Sequence, residues 1–326
     1  MVRISRSERT SKNMNLKSVN IRSRAKKIPI VFSVYWMIRK IETVIKCTFL
    51  KSKSHTYLYE GSCIQKRGRI VKNNWGDDLD QYFFEYVTEC DFYVFPFSAI
   101  KKPPVHYLTI GSILNFYNLN NTIIYGSGII NPLAEIKGKP QKIISVRGPL
   151  TRNVLLSNGI ECPEAYGDPA LLLPLFYCPK LQKQYKYGFI PNTGTDIKAI
   201  NSDVKEWIEE EDNILIEMNH YDQWTDVIDM INQCEYIVSE SLHGLIVGET
   251  YEIPSIWIEF IDHPSYWDFK YKDFYMSINK EVTKRELKTK SNINSVKNEL
   301  REWQPSIINQ ESLLKLFPFP INRSLC

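Results

Sequence analysis

The chain has 326 residues, 43% hydrophobic and 24% charged, which is ordinary for a globular protein and long enough for two domains with a buried core. Its net charge of +4 is unevenly spread: residues 1–54 hold 14 Lys/Arg against 2 Asp/Glu, and the remainder holds 27 against 35, so a basic extension precedes a mildly acidic body and a basic nucleic-acid groove in that body is excluded. The seven cysteines are scattered, odd in number and without a CxxC pair, which argues against a zinc ribbon or a secreted disulfide framework and points to a reducing cytoplasm.

Residues 1–27 are polar and basic, without apolar periodicity, and read as a solvated tail. The apolar run Ile28–Ile38 follows, and Arg39, Lys40, Glu42 and Lys46 come soon after. It falls short of the roughly 20 apolar residues a spanning helix needs. Two readings stay open for it: an amphipathic helix on the cytoplasmic face of an anionic membrane, or a helix packed on the body.

From His55 onward, short apolar runs alternate with helix-like segments. Strands are expected at 56–59, 92–95, 107–110, 122–125 and 142–146, with helices over 78–88 and 149–156, the latter carrying Pro149 in its first turn. A Pro- and Tyr-rich stretch, 169–179, marks a boundary near residue 180. The alternation then restarts, with strands at 187–190, 214–217, 236–239 and 255–258 and helices at 200–209, 224–233 and 242–251. Strands alternating with helices mean parallel sheets covered on both faces. The expected fold is therefore α/β, with two Rossmann-like parallel-sheet domains facing a cleft in a GT-B-like manner. Residues 1–54 form the extension, 55–180 the first domain, 181–280 the second, and 281–326 C-terminal helices packing back on the body.

Ligands of open parallel sheets bind beyond the carboxyl ends of the strands, and four polar constellations fall at such places. Asn73-Asn-Trp-Gly-Asp-Asp-Leu79 opens a helix, where Asp77 or Asp78 can cap. Gly126-Ser127-Gly128 follows a buried strand and lets backbone approach a ligand, or simply turns. Arg147-Gly148-Pro149 joins a strand end to a helix start, combining a cationic fork with free amides suited to an anion. Ser241-Leu-His243-Gly244 puts a cap and a histidine in the first turn of an apolar helix. There is no HExxH, P-loop or full GxGxxG, so zinc peptidase, Walker NTPase and standard dinucleotide dehydrogenase readings are disfavoured.

Taken in order, these segments resemble the polysaccharide pyruvyltransferase family. The resemblance rests on Asn74-Trp-Gly-Asp-Asp-Leu79, Gly126-Ser-Gly128, Arg147-Gly-Pro149, Gly167-Asp-Pro-Ala170, Ser241-Leu-His-Gly244, Ile253-Pro254 and the late segment Lys270-Tyr-Lys-Asp-Phe-Tyr-Met-Ser277. It covers about residues 55–280. One departure is Ile190-Pro191-Asn192, where many members have Pro-His; Asn192 can hydrogen-bond but cannot carry a proton near neutral pH.

The resemblance implies phosphoenolpyruvate as donor substrate, no cofactor and no metal, and a sugar acceptor, lipid-linked or polymeric, that receives the pyruvyl group as a cyclic ketal in cell-surface glycan synthesis. It implies His243 as acid or phosphate-protonating group, Asp77 as base or acceptor-orienting carboxylate, and Arg147 as the stabiliser of anionic charge. Gly126, Ser127, Gly128, Asn192, Ser241 and Lys272 are the expected substrate-binding residues. A nucleotide-sugar glycosyltransferase of similar architecture and a non-catalytic glycan-binding protein are the rival readings.

Overall fold

The computed structural model describes residues 74–92 and 104–326 in full, the backbone of strands at 56–60, 65–66, 69–70 and 93–95, and residues 38, 41 and 45. The expected tail and most of the apolar run after it lie outside the described residues. The chain forms two compact units, residues 1–54 and 55–326. In the first, Ile38, Ile41 and Ile45 are helical and exposed, at a spacing that sets them on one helix face.

The second unit is mixed α/β. Strands β1 (Thr56–Glu60), β4 (Asp91–Phe95), β5 (His106–Leu108), β6 (Thr122–Tyr125) and β7 (Lys142–Ser145) form a parallel sheet in the order β4-β1-β5-β6-β7. Strands β8 (Tyr185–Ile190), β9 (Asn213–Leu215), β10 (Cys234–Ser239), β11 (Ser255–Glu259) and β12 (Arg285–Glu286) form a second, in the order β12-β11-β10-β8-β9, also parallel. A small antiparallel pair, β2 (Gln65–Lys66) and β3 (Arg69–Ile70), lies between β1 and this unit's first helix in the chain.

Alternation along the strands distributes side chains among three cores. Tyr125, Ile190, Ile237 and Trp257 enter a central cluster to which both sheets contribute. Their neighbours Phe189, Val238, Ile256 and Ile258 point to the far face of the second sheet, against Trp207, Ile293 and Val296. Leu108 and Ile124 face the far side of the first, against Leu155. This two-faced burial is why the strands read as continuous apolar runs rather than alternating ones. Between the layers, α6 (Leu242–Thr250) is buried along its whole length, as a helix apolar all round must be.

Several expected boundaries move, for local reasons. The first helix of the second unit, α1, spans Trp75–Thr88, because Asn74 takes the extended N-cap conformation and leaves Asp77 and Asp78 in the first turn, where the helix dipole favours them. Strand β5 stops at Leu108; the buried Asp80 carboxyl instead takes the Thr109 hydroxyl and the Ile110 amide at 2.9 Å. Residues 281–326 are less helical than expected. They contain β12, α8 (Lys290–Arg301) and α9 (Gln310–Lys315), and then a non-helical tail through Phe317-Pro-Phe-Pro320, whose prolines cannot continue a helix.

That tail runs along the first sheet's side of the unit. Phe319 packs against Phe84, Phe92, Tyr107 and Phe317, and the Tyr125 hydroxyl donates to the Leu313 carbonyl at 2.9 Å. The Asn322 and Arg323 amides donate to the carbonyl of Val87, near the end of α1. The Cys326 amide donates to the Leu175 carbonyl, and Cys326 is disulfide-bonded to Cys178. The scattered cysteines gave no sign of this pairing, since the partners lie 148 residues apart. Among the described residues, no helix is long and apolar enough to cross a membrane.

Phe319 should therefore matter to stability. Phe319→Ala should cost about 3–5 kcal/mol, the usual range for a buried phenylalanine, read as a lower denaturant midpoint with an unchanged slope. A midpoint equal to wild type would mean that the tail does not complete this core.

Candidate functional site

The site is built from the loops and helix starts that follow strands. A cavity of about 200 Å³ is lined by Asn74 and Asp77 at the start of α1, Ser112, Ile113 and Phe116 after β5, and Ile130 after β6. Its other walls are Asn192, Thr193 and Gly194 after β8, Ser241, Leu242 and His243 after β10, and Trp267 and Lys270 after β11. Both sheets thus supply strand-end residues to one pocket, as the placement rule for parallel sheets requires.

The start of α1 is held against the second sheet's loops. The Trp75 amide donates to the Met218 carbonyl at 2.7 Å, and its indole Nε1 donates to the Trp224 carbonyl at 2.6 Å. The Tyr221 hydroxyl donates to the Asp78 carboxylate at 2.7 Å. These contacts press Gly76 onto the His243 ring so closely that a Cβ at position 76 would overlap imidazole atoms. Asp77, one residue on, is thereby set in the same pocket as His243, and Asn74 Nδ2 donates to its carboxylate at 2.7 Å.

His243 is 8% exposed, and its Nε2 is buried without a hydrogen-bond partner among the described residues. Burial lowers its pKa to about 3, with Arg147 and Lys270 adding to the shift. Burial therefore favours the neutral imidazole in the free protein. It can carry a second proton only when an anion enters beside it.

Lys270, which the sequence reading passed over in favour of Lys272, lies in α7 (Asp268–Ser277) and is 8% exposed. Its ammonium sits 4.6 Å from the centre of the Trp267 ring and 4.9 Å from that of Tyr271. Burial, reinforced by Arg147, lowers its pKa to about 8, while Asp77 and Glu240 oppose the shift. A cation, a neutral imidazole and an exposed carboxylate thus share a small polar pocket. That set can receive a small anion and move protons beside it.

The other expected site residues are distributed differently. Ser241 and Asn192 line the pocket, whereas Lys272 is exposed outside its lining. Arg147 is fully buried behind the wall. Its Nε and Nη2 each lie 3.2 Å from an Asp273 carboxylate oxygen, Nη2 donates to the Ile129 carbonyl at 3.0 Å, and Nη1 donates to the hydroxyl of the pocket residue Ser112. Asp273 also accepts the Thr151 amide and hydroxyl, so the pair pins α7 to α2 (Pro149–Ser157).

The glycine turn serves this arrangement rather than the cavity surface. A Cβ on Gly128 would strike the Arg147 guanidinium, and one on Gly126, which has φ +77°, would strike Pro169 and the Gly167 carbonyl. Ser127 is buried and donates to the Gly111 carbonyl at 3.1 Å. Asp168 caps the turn that follows it, accepting the Ala170 amide at 3.0 Å, and burial raises its pKa to about 6. Among the described residues, no group of three or more His, Cys, Asp or Glu is placed to hold a metal ion.

Fold and site together define an α/β protein with a polar pocket at the strand ends of its parallel sheets. The chain belongs to the polysaccharide pyruvyl transferase family, whose model matches residues 10–263. It is 27% identical over 190 residues to an uncharacterised protein of Acanthamoeba polyphaga mimivirus, covering 57% of this chain and 64% of that one. It is also 27% identical over 216 residues to the succinoglycan biosynthesis protein ExoV of Rhizobium meliloti, covering 63% of this chain and 61% of that one. The chain thus spans less than two thirds of the length of either relative. No solved structure matches it.

Two outcomes test the site's physics. Binding of inorganic phosphate, followed by calorimetry, should weaken as pH rises through about 8, where Lys270 loses its proton. In Lys270→Arg that loss should move beyond the measured range, because a guanidinium stays charged; an unchanged pH limb would remove Lys270 from the anion site. Gly76→Ala should lower stability by about 1–3 kcal/mol through overlap with the His243 ring. Alanine is the better helix former by about 1 kcal/mol, so a stabilised variant in thermal unfolding would disprove the close packing.

Proposed function

We propose that the protein transfers the pyruvyl group of phosphoenolpyruvate to two hydroxyls of a sugar, forming a cyclic ketal in glycan synthesis. The observation that carries this reading is the buried Lys270 ammonium beside a neutral His243, whose Nε2 has no hydrogen-bond partner among the described residues, in one small polar pocket. Two parallel sheets meeting at a strand-end pocket fit a GT-B-like arrangement.

The chemistry follows from the donor. A proton must reach the methylene carbon, one sugar hydroxyl must add to the carbon bearing phosphate, and phosphate must leave with the C–O bond electrons. The second hydroxyl then closes the ketal. Counting protons, the two hydroxyls lose one each, one ends on the methyl group and one on phosphate. Lys270 and the amides at the start of α6 hold the donor's anionic groups. The entering dianion raises the His243 pKa, so the imidazole takes up a proton with the donor and can release it to the methylene or the departing phosphate. Asp77, which lines the pocket and remains exposed, accepts a hydroxyl proton or orients the acceptor. Arg147 acts from behind Ser112, its field disfavouring extra positive charge on His243 until the anion arrives.

The acceptor approaches from the mouth. Phe116 is 60% exposed there beside Ile113, offering an apolar face to the C–H side of a sugar ring. The exposed Ile38, Ile41 and Ile45, within a segment rich in Lys and Arg, support contact with an anionic membrane surface at which a lipid-linked acceptor would be met.

The test is incubation with phosphoenolpyruvate and a panel of nitrophenyl and lipid-linked sugars, reading phosphate release and the acceptor's mass gain. Wild type should give both. His243→Ala and His243→Gln should fold yet lose turnover by roughly 100-fold or more, the scale of a lost acid–base group. Normal turnover in His243→Gln would leave the imidazole an anchor only, and normal turnover in both variants would remove it from the reaction.

A further inference from the structure

Behind the pocket wall lies a carboxylate that the reaction above does not use. Glu240 follows β10, two residues before α6, and is 1% exposed. Its Oε2 accepts the Asn192 amide at 3.2 Å and the Thr195 hydroxyl. Its Oε1 accepts the Phe260 amide at 3.1 Å and His263 Nε2 at 2.9 Å. The Glu240 carbonyl accepts the Tyr271 hydroxyl at 2.6 Å. One side chain thus gathers the segments that leave β8 and β11, and its backbone meets α7.

Each of these ties leads to a pocket residue. Asn192, Thr193 and Gly194 form one wall, and the Asn192 and Thr195 bonds bracket that wall on both sides. On the other side the His263 ring stacks on Trp267, with centroids 4.4 Å apart and planes 12° from parallel. Trp267 lines the pocket, and the Lys270 ammonium lies over its ring. Tyr271, adjacent to Lys270, stacks on Trp257 at 4.3 Å while it donates to the Glu240 carbonyl. A shift of the Glu240 carboxylate would therefore move the 192–194 wall and the Trp267–Lys270 wall relative to each other.

We infer that Glu240 is a positioning residue that sets the separation between the 192–194 loop and the Trp267–Lys270 wall, and so the fit of the anionic donor. It touches no substrate. The inference rests on the proposed donor site and adds to it a determinant outside the cavity. The isosteric amide is a damaging change, because in either flip its NH2 group faces a backbone N–H, that of Asn192 or of Phe260, from which it cannot accept.

The experiment compares Glu240→Gln, His263→Phe and Thr195→Val with wild type. His263→Phe keeps a ring to stack on Trp267 but cuts the link to Glu240, and Thr195→Val removes one donor from the other wall. Phosphoenolpyruvate binding is measured by calorimetry, and amide exchange is followed by mass spectrometry in peptides covering 190–196. Glu240→Gln should bind the donor about 10-fold more weakly or worse, since small misplacements of binding groups cost that much. It should also lose exchange protection at 192–195, and the two milder variants should follow in the same direction with melting temperatures near wild type. With turnover in hand, the donor KM should rise more than kcat falls.

Donor binding and exchange equal to wild type in Glu240→Gln would overturn the inference. If that variant does not fold, equal values in both His263→Phe and Thr195→Val overturn it instead. Should wild type itself bind no phosphoenolpyruvate, the donor reading fails on its own. Exchange at 192–195 then decides the positioning role, unchanged protection in the variants counting against it.

Discussion

The arrangement depends on how closely α1 approaches the first turn of α6. Position 76 has no side chain, and the imidazole of His243 occupies the space one would need. This contact joins residues from the two sheets' regions of the chain without a hydrogen bond or charge. The Trp75, Asp78 and Tyr221 bonds around it only make sense as a frame holding that distance. Because packed interiors behave as close-packed solids, a methyl group's worth of extra separation here would propagate to Asp77 and to the pocket wall.

A second, electrostatic frame stands behind the first. The buried Arg147–Asp273 pair is hydrogen-bonded on nearly every side, which offsets the desolvation of both ions. It fastens the helix that carries Lys270 to the end of β7. The same guanidinium lowers the proton affinity of His243 and Lys270 from a distance. Structural and electrostatic roles are therefore joined in Arg147, and a deletion at this position would confound the two.

The sequence made the layer plan readable, because strands buried on both faces carry a strong apolar signal and nearly every one fell within a few residues of its expected place. It also made the polar segments at strand ends readable, and Ser241, Asn192, Asp77 and His243 do line one pocket. It could not tell lining residues from those that pack behind them. Gly126, Gly128, Arg147 and Gly167 look like ligand loops in one dimension, yet they interlock with one another. Lys270 and Lys272 are indistinguishable by composition. Only the helix phase, with Tyr271, Phe274 and Tyr275 buried, turns Lys270 inward and Lys272 to solvent. Glu240 was invisible because its partners are backbone amides and side chains up to 48 residues away.

The path of the tail also bears on how the protein is made. Strands β1 and β4 and helix α1 leave the ribosome early, but the aromatic rings that close over Phe84 and Phe92 belong to residues 317 and 319. Until translation reaches them, the nascent first sheet keeps apolar surface uncovered while the whole second sheet is synthesised. Long-range closure of this kind slows folding and leaves sticky intermediates waiting. The order in which the chain is made thus leaves Phe84 and Phe92 without these covering rings until residues 317 and 319 have been added.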